Sequence, residues 1–568
     1  MRDAAAQGRA LRPRPLVRRR GFRCPLMVSE GAGPRSAAAR PLEASMLAKL
    51  STRPSMRRCA VPCVAGLALL GAGLPATDGP GPGLARFYDQ KVTWSACEGE
   101  DMPKDLQCGK VTVPLDYAEP GKGTLDLALA RYRSTGKSRG SLLLNFGGPG
   151  GQGVGQLAMA GKDFMGLTNG YDVVGFDPRG VGRSSPVSCG NASDDPLDAT
   201  DGNTGVADPQ AVLEELRDAA AECTEHSGPV LPHIGTVNAA RDLDVMRDAL
   251  GDGKLNYLGF SYGSRLGAVY AAQFPDKVGR MVLDGVDTLT EPLSEQGVVT
   301  ARGQQTALEN FLAWCTEDIA CPFGQNPREA REHVVQVVES LDRDPVPTDF
   351  GEAFSGQDFA GALTQGLYSR ELWPSLQRAV AQLLEDGDTS RLEAFASGGV
   401  GRPPWRAAHG GLVDPQDVPL DNLQAALMAV NCADDPDRPA AEQVRRDLGR
   451  LRARYERASP VFGRYRLTQV LMCYGRPKGT DFIRDEVKDL DAPKMLLVGT
   501  RGDPATPYRW TVETAERLGS SAVVLDNRGE GHTGYGSSKC VHRKVDAFLL
   551  YGTLPPDGSS CGSDHDTE

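Results

Sequence analysis

The chain alternates between short continuous apolar runs and longer stretches in which apolar residues recur every three or four positions. The apolar runs predict strands that are buried on both faces, and the periodic stretches predict amphipathic helices. Runs at 141–146, 171–176 and 255–258 are interleaved with helical patterns such as 236–250. This alternation is typical of an α/β domain with a mostly parallel central sheet.

The pattern changes between residues 290 and 485, where it is largely helical and is interrupted by loops rich in Gly and Pro. Apolar runs with flanking helical patterns then return at 494–499 and 522–525. We therefore expect a core made of residues 85–289 and 486–562. The inserted residues 290–485 are expected to form a large, mainly helical cap over a cleft.

Charge is distributed unevenly along the chain. Residues 1–76 contain 14 Lys+Arg against 3 Asp+Glu, although the whole chain has a net charge of −11. The remainder is therefore strongly acidic, which argues against nucleic acid as a partner.

The N-terminal segment carries the features of an export signal. Residues 56–76 combine two arginines, an apolar core and a small-residue end, which predicts a secretory signal peptide. A membrane anchor is the alternative, but the core is short and contains Gly and Pro, so stable membrane insertion is not expected. Residues 1–55 are expected to be a disordered or non-native extension, with translation starting at Met46 or Met56.

An even number of cysteines follows this segment, which in an exported chain suggests disulfide bonds. Pairing each cysteine with its nearest neighbour gives five local loops, although the sequence alone leaves the connectivity open. A zinc site is disfavoured because the chain has no C-x-x-C motif and no clustered histidines, so no metal is expected. The nearest-neighbour pairs are Cys97 with Cys108, Cys189 with Cys223, Cys315 with Cys321, Cys432 with Cys473, and Cys540 with Cys561.

The motif G-x-S-x-G occurs three times, and its context distinguishes the copies. Residues 136–140 lie between two predicted strands and suggest a hairpin loop, whereas 558–562 lie in a polar tail. Only 259–263 join a predicted strand to a predicted helix, which is the context of a nucleophile elbow. Ser261 is therefore the candidate nucleophile, with an inert serine in a Gly-rich loop as the alternative.

A serine nucleophile needs a base, and the base needs an orienting carboxylate. In the α/β-hydrolase order, Asp or Glu and then His follow the serine. His532 directly follows the last predicted core strand, and Asp503 is the only acidic residue in the loop after 494–499. The alternatives are a surface-loop histidine and an Asp that only forms a turn before Pro504.

An oxyanion hole requires two N–H donors aimed at the developing negative charge. One is expected from the backbone of Tyr262, directly after the nucleophile. The other is expected from Gly148, in the Gly-rich turn after 141–146, because the following Pro149 has no N–H. A phosphate-binding loop is disfavoured because the turn lacks the Lys-Ser/Thr ending.

Five motifs together resemble the secreted bacterial tripeptidyl aminopeptidases, which are α/β-hydrolase serine peptidases related to the proline iminopeptidases. The resemblance covers roughly residues 85–562. It departs from the family pattern at Gln152 and Ser264, and at the segment after Asp284, which lacks an expected proline. The motifs are LNFGGPGGQG (144–153), GFDPRGVGRS (175–184), GFSYGSRLGAVYAAQFP (259–275), GTRGDPATP (499–507) and GEGHTGYG (529–536).

The resemblance implies release of short N-terminal peptides, in particular tripeptides, from peptides or unfolded proteins with a free N-terminus. It implies an acyl-enzyme on Ser261, His532 as general base and acid, Asp503 as the orienting carboxylate, and no cofactor. Asp434 resembles an acidic position of the family and is a candidate for binding the substrate ammonium, with a surface helix end as the alternative.

Two other functions stay open on the sequence. An esterase or amide hydrolase acting on small molecules would use the same triad. A non-catalytic secreted binding protein on a hydrolase scaffold would be expected to lack a triad member, and all three candidates are present. The sequence predicts no oligomeric state.

Overall fold

The computed structural model describes residues 83–97, 102–190, 209–348, 353–396, 412–413, 417–466 and 471–562. The predicted extension (1–55) and signal peptide (56–76) lie outside the described residues. Within those residues, no helix has both the length and the hydropathy needed to cross a membrane.

A ten-stranded sheet forms the core. From one edge to the other its strands lie in the order β1-β2-β3-β5-β4-β6-β7-β10-β11-β12. The strands from β5 to β12 in this order pair in parallel, while β1, β2 and β3 add an antiparallel edge. The described strands are β1 Ser95–Ala96, β2 Leu106–Pro114, β3 Thr124–Tyr132, β4 Ser141–Asn145, β5 Asp172–Phe176, β6 Leu255–Phe260, β7 Val278–Asp284, β8 Val346–Pro347, β9 Ala353–Phe354, β10 Met495–Gly502, β11 Ala522–Glu530 and β12 Ser559–Cys561.

The central strands are apolar throughout because helices cover both faces of the sheet. Every residue of β4 is buried, as are all but one of β6. Alternate residues of these strands belong to two hydrophobic clusters, one on each face: Leu143 and Tyr257 to one, Leu142 and Leu258 to the other. The expectation of an α/β-hydrolase fold with a mostly parallel sheet is confirmed.

Helices follow most of the parallel strands and also form the region between β7 and β10. The described α-helices are Ala85–Tyr88, Gly153–Ala160, Pro209–His226, Thr236–Ala249, Tyr262–Gln273, Leu293–Cys315, Pro327–Arg343, Gly356–Leu367, Trp373–Asp386, Ser390–Ala396, Asn422–Asp434, Ala441–Ala458, Phe482–Glu486, Tyr508–Leu518 and Lys539–Tyr551. Several of those between β7 and β10 share a separate hydrophobic cluster that includes Phe311, Val338, Phe359 and Val380. We call the helical region between β7 and β10 the cap.

One local expectation is wrong. Residues 136–140 do not form a hairpin, because β5 lies between β3 and β4 and pairs with both. The third G-x-S-x-G copy, in the polar tail, includes a short strand, because Ser559–Cys561 forms edge strand β12 beside β11. In both cases the pairing partner comes from a distant part of the chain.

The segment after Ser184 contains the helix Pro209–His226, which the hydrophobic pattern did not predict. Its buried residues recur every three or four positions, but charged residues lie between them and hide the pattern. They are Leu213, Leu216, Ala220 and Cys223. Leu213 and Leu216 pack against Val444 of the cap, so a contact distant in sequence supports this weakly apolar helix.

All five nearest-neighbour cysteine pairs form disulfide bonds. Three of them join elements near the sheet or its covering helices. The pairs Cys315–Cys321 and Cys432–Cys473 lie within the cap. This pattern fits a protein that matures in an oxidising compartment.

Candidate active site

Ser261 stands at a sharp turn between β6 and the helix Tyr262–Gln273. Its φ of 56° is one that residues other than glycine rarely adopt. Two glycines permit the turn, since a Cβ on Gly259 would lie 2.4 Å from the carbonyl oxygen of Gly263, and one on Gly263 would lie 2.8 Å from that of Asn145. The serine is thereby held at the carboxyl end of a central strand, at the start of a helix.

The other predicted residues follow neighbouring parallel strands. Asp503 comes directly after β10, and His532 follows β11 by two residues. Because the carboxyl ends of parallel strands form one edge of a sheet, these residues and Ser261 lie along the same edge. The Gly-rich turn after β4 lies on that edge as well.

The structure brings Asp503 and His532 together. The Nδ1 atom of His532 lies 2.9 Å from Oδ2 and 3.0 Å from Oδ1 of Asp503. Asp503 is almost fully buried, and it also accepts hydrogen bonds from the N–H groups of Ala505 and Thr506, both at 2.8 Å. The hydroxyl of Thr506 donates to Oδ2 at 3.0 Å. These donors hold the carboxylate in place, and the carboxylate directs the opposite nitrogen, Nε2, away from itself.

Opposing effects act on the imidazole of His532. Burial lowers its pKa, but the charge of Asp503 and its hydrogen bond raise it, and the nearby Asp284 and Asp287 add to this effect. The net result is a pKa above the ordinary 6.5. The neighbouring carboxylates thus keep this buried histidine basic, which suits a group that must take a proton from a hydroxyl.

The cap also contacts His532. The backbone N–H of His532 donates to the carbonyl oxygen of Tyr368 at 2.8 Å. The ring of Tyr368 meets the imidazole edge to face, with 5.0 Å between the ring centroids. The histidine is therefore packed between the sheet edge and the cap.

The Gly-rich turn packs directly against the elbow. A Cβ on Gly147 would lie 2.9 Å from the Cβ of Ser261. The N–H of Gly147 donates to Oδ1 of Asn145. The N–H groups of Gly148 and Tyr262 have no acceptor within the described part of the chain, and Gly148 is exposed. These two donors are thus free to bind an anionic oxygen beside Ser261.

The helix that follows this turn is anchored by a buried carboxylate. Asp177, at the end of β5, accepts hydrogen bonds from the N–H groups of Val154 and Arg183 at 3.0 and 3.1 Å. Burial raises the pKa of Asp177 to about 6. The contact with Val154 fixes the first turn of helix Gly153–Ala160 and with it the Gly-rich turn.

Two family models match the chain: one described as "alpha/beta hydrolase fold" over residues 144–382, and one described as "TAP-like protein" over 459–561. Serine protease Hip1 of Mycobacterium tuberculosis (strain ATCC 25618 / H37Rv) is 34% identical over 519 residues, which cover 84% of this chain and 93% of that protein. The tripeptidyl aminopeptidase of Streptomyces lividans is 30% identical over 497 residues, covering 84% and 88%. The chain belongs to the tripeptidyl aminopeptidase-like α/β-hydrolases.

A further relative has a different name. Carboxylesterase B of Mycobacterium tuberculosis (strain CDC 1551 / Oshkosh) is 32% identical over 528 residues, covering 87% of this chain and 96% of that protein. The relatives of this tripeptidyl aminopeptidase-like chain thus include proteins named for peptide cleavage and one named for ester cleavage. The names as a whole support a serine peptidase of the α/β-hydrolase type.

In this tripeptidyl aminopeptidase-like chain, Asp434 is the last residue of helix Asn422–Asp434 and is buried rather than at the surface. Its carboxylate accepts from the N–H and hydroxyl of Thr236 at 2.9 and 2.6 Å and lies 3.5 Å from Nη1 of Arg265. Burial raises the pKa of Asp434, and Arg265 opposes that effect. With Glu291 and Asp435 it lines a small cavity beside the helix that follows Ser261.

Several residues at this site were not singled out from the sequence. Thr506 is three positions after Asp503 in a turn, where only the folded loop shows that its hydroxyl reaches the carboxylate. Tyr368 belongs to the cap and has no motif around it. Asp284 ends an apolar run that forms a strand, and an acidic residue directly after such a run was the one sign in the sequence that it has a role at the site. Tyr368 and Asp284 act across a long sequence separation, which a motif does not reveal.

Proposed function

We propose that this protein is a secreted serine exopeptidase that releases short peptides, in particular tripeptides, from the free N-terminus of peptides or unfolded proteins. The observation that carries the proposal is the 2.9 Å contact between Nδ1 of His532 and Asp503, at the sheet edge where Ser261 begins a helix. The relatives named serine protease and tripeptidyl aminopeptidase support the substrate class.

In the proposed reaction, His532 takes the proton of the Ser261 hydroxyl through Nε2 while the serine oxygen attacks the scissile carbonyl. The N–H groups of Gly148 and Tyr262 bind the resulting oxyanion. The imidazolium then gives its proton to the leaving amine, and an acyl-enzyme remains. Water, deprotonated by the same histidine, releases the N-terminal peptide and regenerates Ser261. No cofactor takes part.

An exopeptidase must also recognise the substrate ammonium. We assign this to the cavity lined by Glu291, Asp434 and Asp435, because carboxylates are the groups that pair with an ammonium. Arg265, Arg484 and Arg509 each approach one of these carboxylates, so the substrate ammonium must compete with them. Asp434→Asn should then raise KM for substrates with a free N-terminus and leave N-blocked substrates unaffected. A variant that only loses thermal stability would show that Asp434 serves the packing around Thr236 alone.

The central test compares three serines that share the G-x-S-x-G motif. Ser261→Ala should abolish hydrolysis of tripeptide nitroanilides and labelling by a fluorophosphonate. Ser138→Ala and Ser560→Ala should behave as the unmodified protein, since those residues lie outside the elbow. Loss of labelling in either of the latter variants would contradict the assignment of Ser261.

The second candidate function is ester hydrolysis, which the relative named Carboxylesterase B favours. Simple p-nitrophenyl esters and peptide nitroanilides with free or blocked N-termini separate the two activities. Activity confined to the esters would overturn the peptidase proposal. Product masses from a mixed peptide library would also give the length of the released fragment.

Secretion is part of the proposal and needs its own measurement. The five disulfide bonds are consistent with export. N-terminal sequencing of the protein recovered from culture medium should begin after residue 76. A first residue before position 60 would contradict the predicted signal peptide.

A further inference from the structure

Asp284 occupies a junction between the segments that carry the proposed triad. It is the last residue of β7 and is fully buried. Its carbonyl oxygen accepts the N–H of Ser261 at 2.9 Å. The next residue, Gly285, donates its N–H to the carbonyl oxygen of Val498, in the strand that leads to Asp503. The main chain at this point therefore touches the segments of the nucleophile and of the acid.

The carboxylate of Asp284 reaches the third segment. Its Oδ1 accepts the N–H of Gly534 at 2.8 Å, and its Oδ2 accepts the N–H of Tyr535 at 2.7 Å. These residues come two and three positions after His532. One buried carboxylate thus holds two successive backbone N–H groups in the loop that carries His532.

No cationic side chain pairs with Asp284 among the hydrogen bonds and ion pairs of the described residues. Two charged or titratable groups from neighbouring loops act on it: His532, which favours its ionised form, and Asp503, which opposes that form. The imidazole itself is faced by Asp503, by Asp287 on the segment after β7, and by the ring of Tyr368 from the cap. Tyr535 is the remaining titratable group on the histidine loop that interacts with Asp284.

We propose that Asp284 is a positioning residue that holds the His532 loop against the nucleophile elbow and supplies a second negative charge to the imidazolium formed during the reaction. The inference rests on the proposed function, because it needs His532 to act as the base. Burying a carboxylate costs free energy, and a neutral side chain could fill the same space. Packing alone therefore does not account for a charged residue at this position.

The same geometry explains how the charge is maintained. Burial raises the pKa of Asp284 to about 6, while the two N–H donors and the positive form of His532 oppose that rise. The carboxylate is therefore ionised above about pH 6, in the range in which a neutral His532 can accept a proton. Donors and charges fixed in advance stabilise the imidazolium without rearrangement during the reaction.

The test uses Asp284→Asn, which keeps the shape but removes the charge and one of the two acceptor oxygens. We expect the folded variant to lose about 10- to 100-fold in kcat/KM, as is typical when a catalytic group loses its orientation. The acid limb of its pH–rate profile should also move to lower pH by roughly 0.5 to 1 unit, because a negative charge near His532 is gone. A purely structural role would lower activity without moving that limb.

Asp252→Asn is the matched control. Like Asp284, Asp252 accepts a backbone N–H, that of Ser141 at the start of β4, but it is only partly buried and lies in the turn before β6, at the opposite edge of the sheet. Its substitution should leave the acid limb and the catalytic constants unchanged. Asp284→Ser serves as a second charge-removing variant with less volume, and thermal unfolding reports whether each variant is folded.

The rate of fluorophosphonate labelling, measured across pH, keeps this test separate from the proposed substrate. If no peptide is cleaved but Ser261 is labelled, the substrate proposal fails and Asp284 is still tested by the labelling profile. Folded Asp284 variants whose acid limb coincides with that of the parent would overturn the inference. So would the failure of both variants to fold while Asp252→Asn folds, because Asp284 would then serve the fold as a whole.

Discussion

The carbonyl oxygen of Tyr368 accepts the backbone N–H of His532 at 2.8 Å, and the two rings meet edge to face at 72°. Tyr368 follows the cap helix Gly356–Leu367, whereas His532 follows core strand β11. The imidazole that we assign as general base is therefore held in part by the cap. A movement of the cap at this point would reach the histidine directly.

The ring of Tyr368 is predicted to matter for turnover. Tyr368→Ala removes the edge-to-face contact, which is worth about 0.5–1.5 kcal/mol, so kcat should fall roughly 2- to 10-fold. Tyr368→Phe keeps the ring and should retain kcat. Steady-state kinetics on a tripeptide nitroanilide, with thermal unfolding of both variants, checks this. Equal losses in the two variants would show that the hydroxyl, rather than the ring, is what counts.

The pH dependence of the unmodified protein follows from the environment of His532. A general base works only when unprotonated, and Asp503 holds the pKa of His532 above 6.5 in spite of its burial. We therefore expect kcat/KM to fall as the pH drops through a midpoint above 6.5 and to be constant at higher pH. Activity and thermal unfolding measured over the same pH range separate this titration from acid unfolding. A midpoint below 6.5 would contradict the assignment.

The tight packing at Gly147 gives a steric prediction. In Gly147→Ala, the new methyl group would lie 2.7 Å from the carbonyl oxygen of Phe260 and 2.9 Å from the Cβ of Ser261, at a φ of +86°. The turn must shift, so an oxyanion donor is misplaced, and kcat should fall by about 100-fold or more. The control is Gly155→Ala in the following helix, where a Cβ meets open space. It should keep full activity and gain about 0.5–1 kcal/mol in stability.

The cap disulfides are predicted to differ in their contribution to stability. Cys432–Cys473 closes a sequence separation of 41 residues and Cys315–Cys321 one of 6. If constraint of the unfolded chain dominates, replacing both cysteines of a pair by Ala should cost about 4 kcal/mol for the first and about 2 kcal/mol for the second. Denaturant unfolding of the two double variants measures this. A larger loss for Cys315–Cys321 would show that native packing outweighs the chain entropy.

Local patterns predicted much of the core correctly. The apolar run at 141–146 corresponds to strand β4, Ser141–Asn145, and the helical pattern at 236–250 to helix Thr236–Ala249. Burial on both faces makes a central strand continuously apolar, and burial on one face gives a helix its period, so both are legible in a single sequence. The pattern failed for Pro209–His226, where charged residues separate the few buried positions.

The sequence alone determined the elements and their order: the elbow at Ser261, and Asp503 and His532 each after a later core strand. Tertiary structure alone decided which distant groups meet. It placed β5 between β3 and β4, buried Asp434 against Thr236, and joined Asp284 to Gly534, 250 positions away. Periodicity records which side of an element is buried, because burial is a property of each residue. A contact between distant residues depends on strand order, register and loop closure, which no local stretch of the chain specifies.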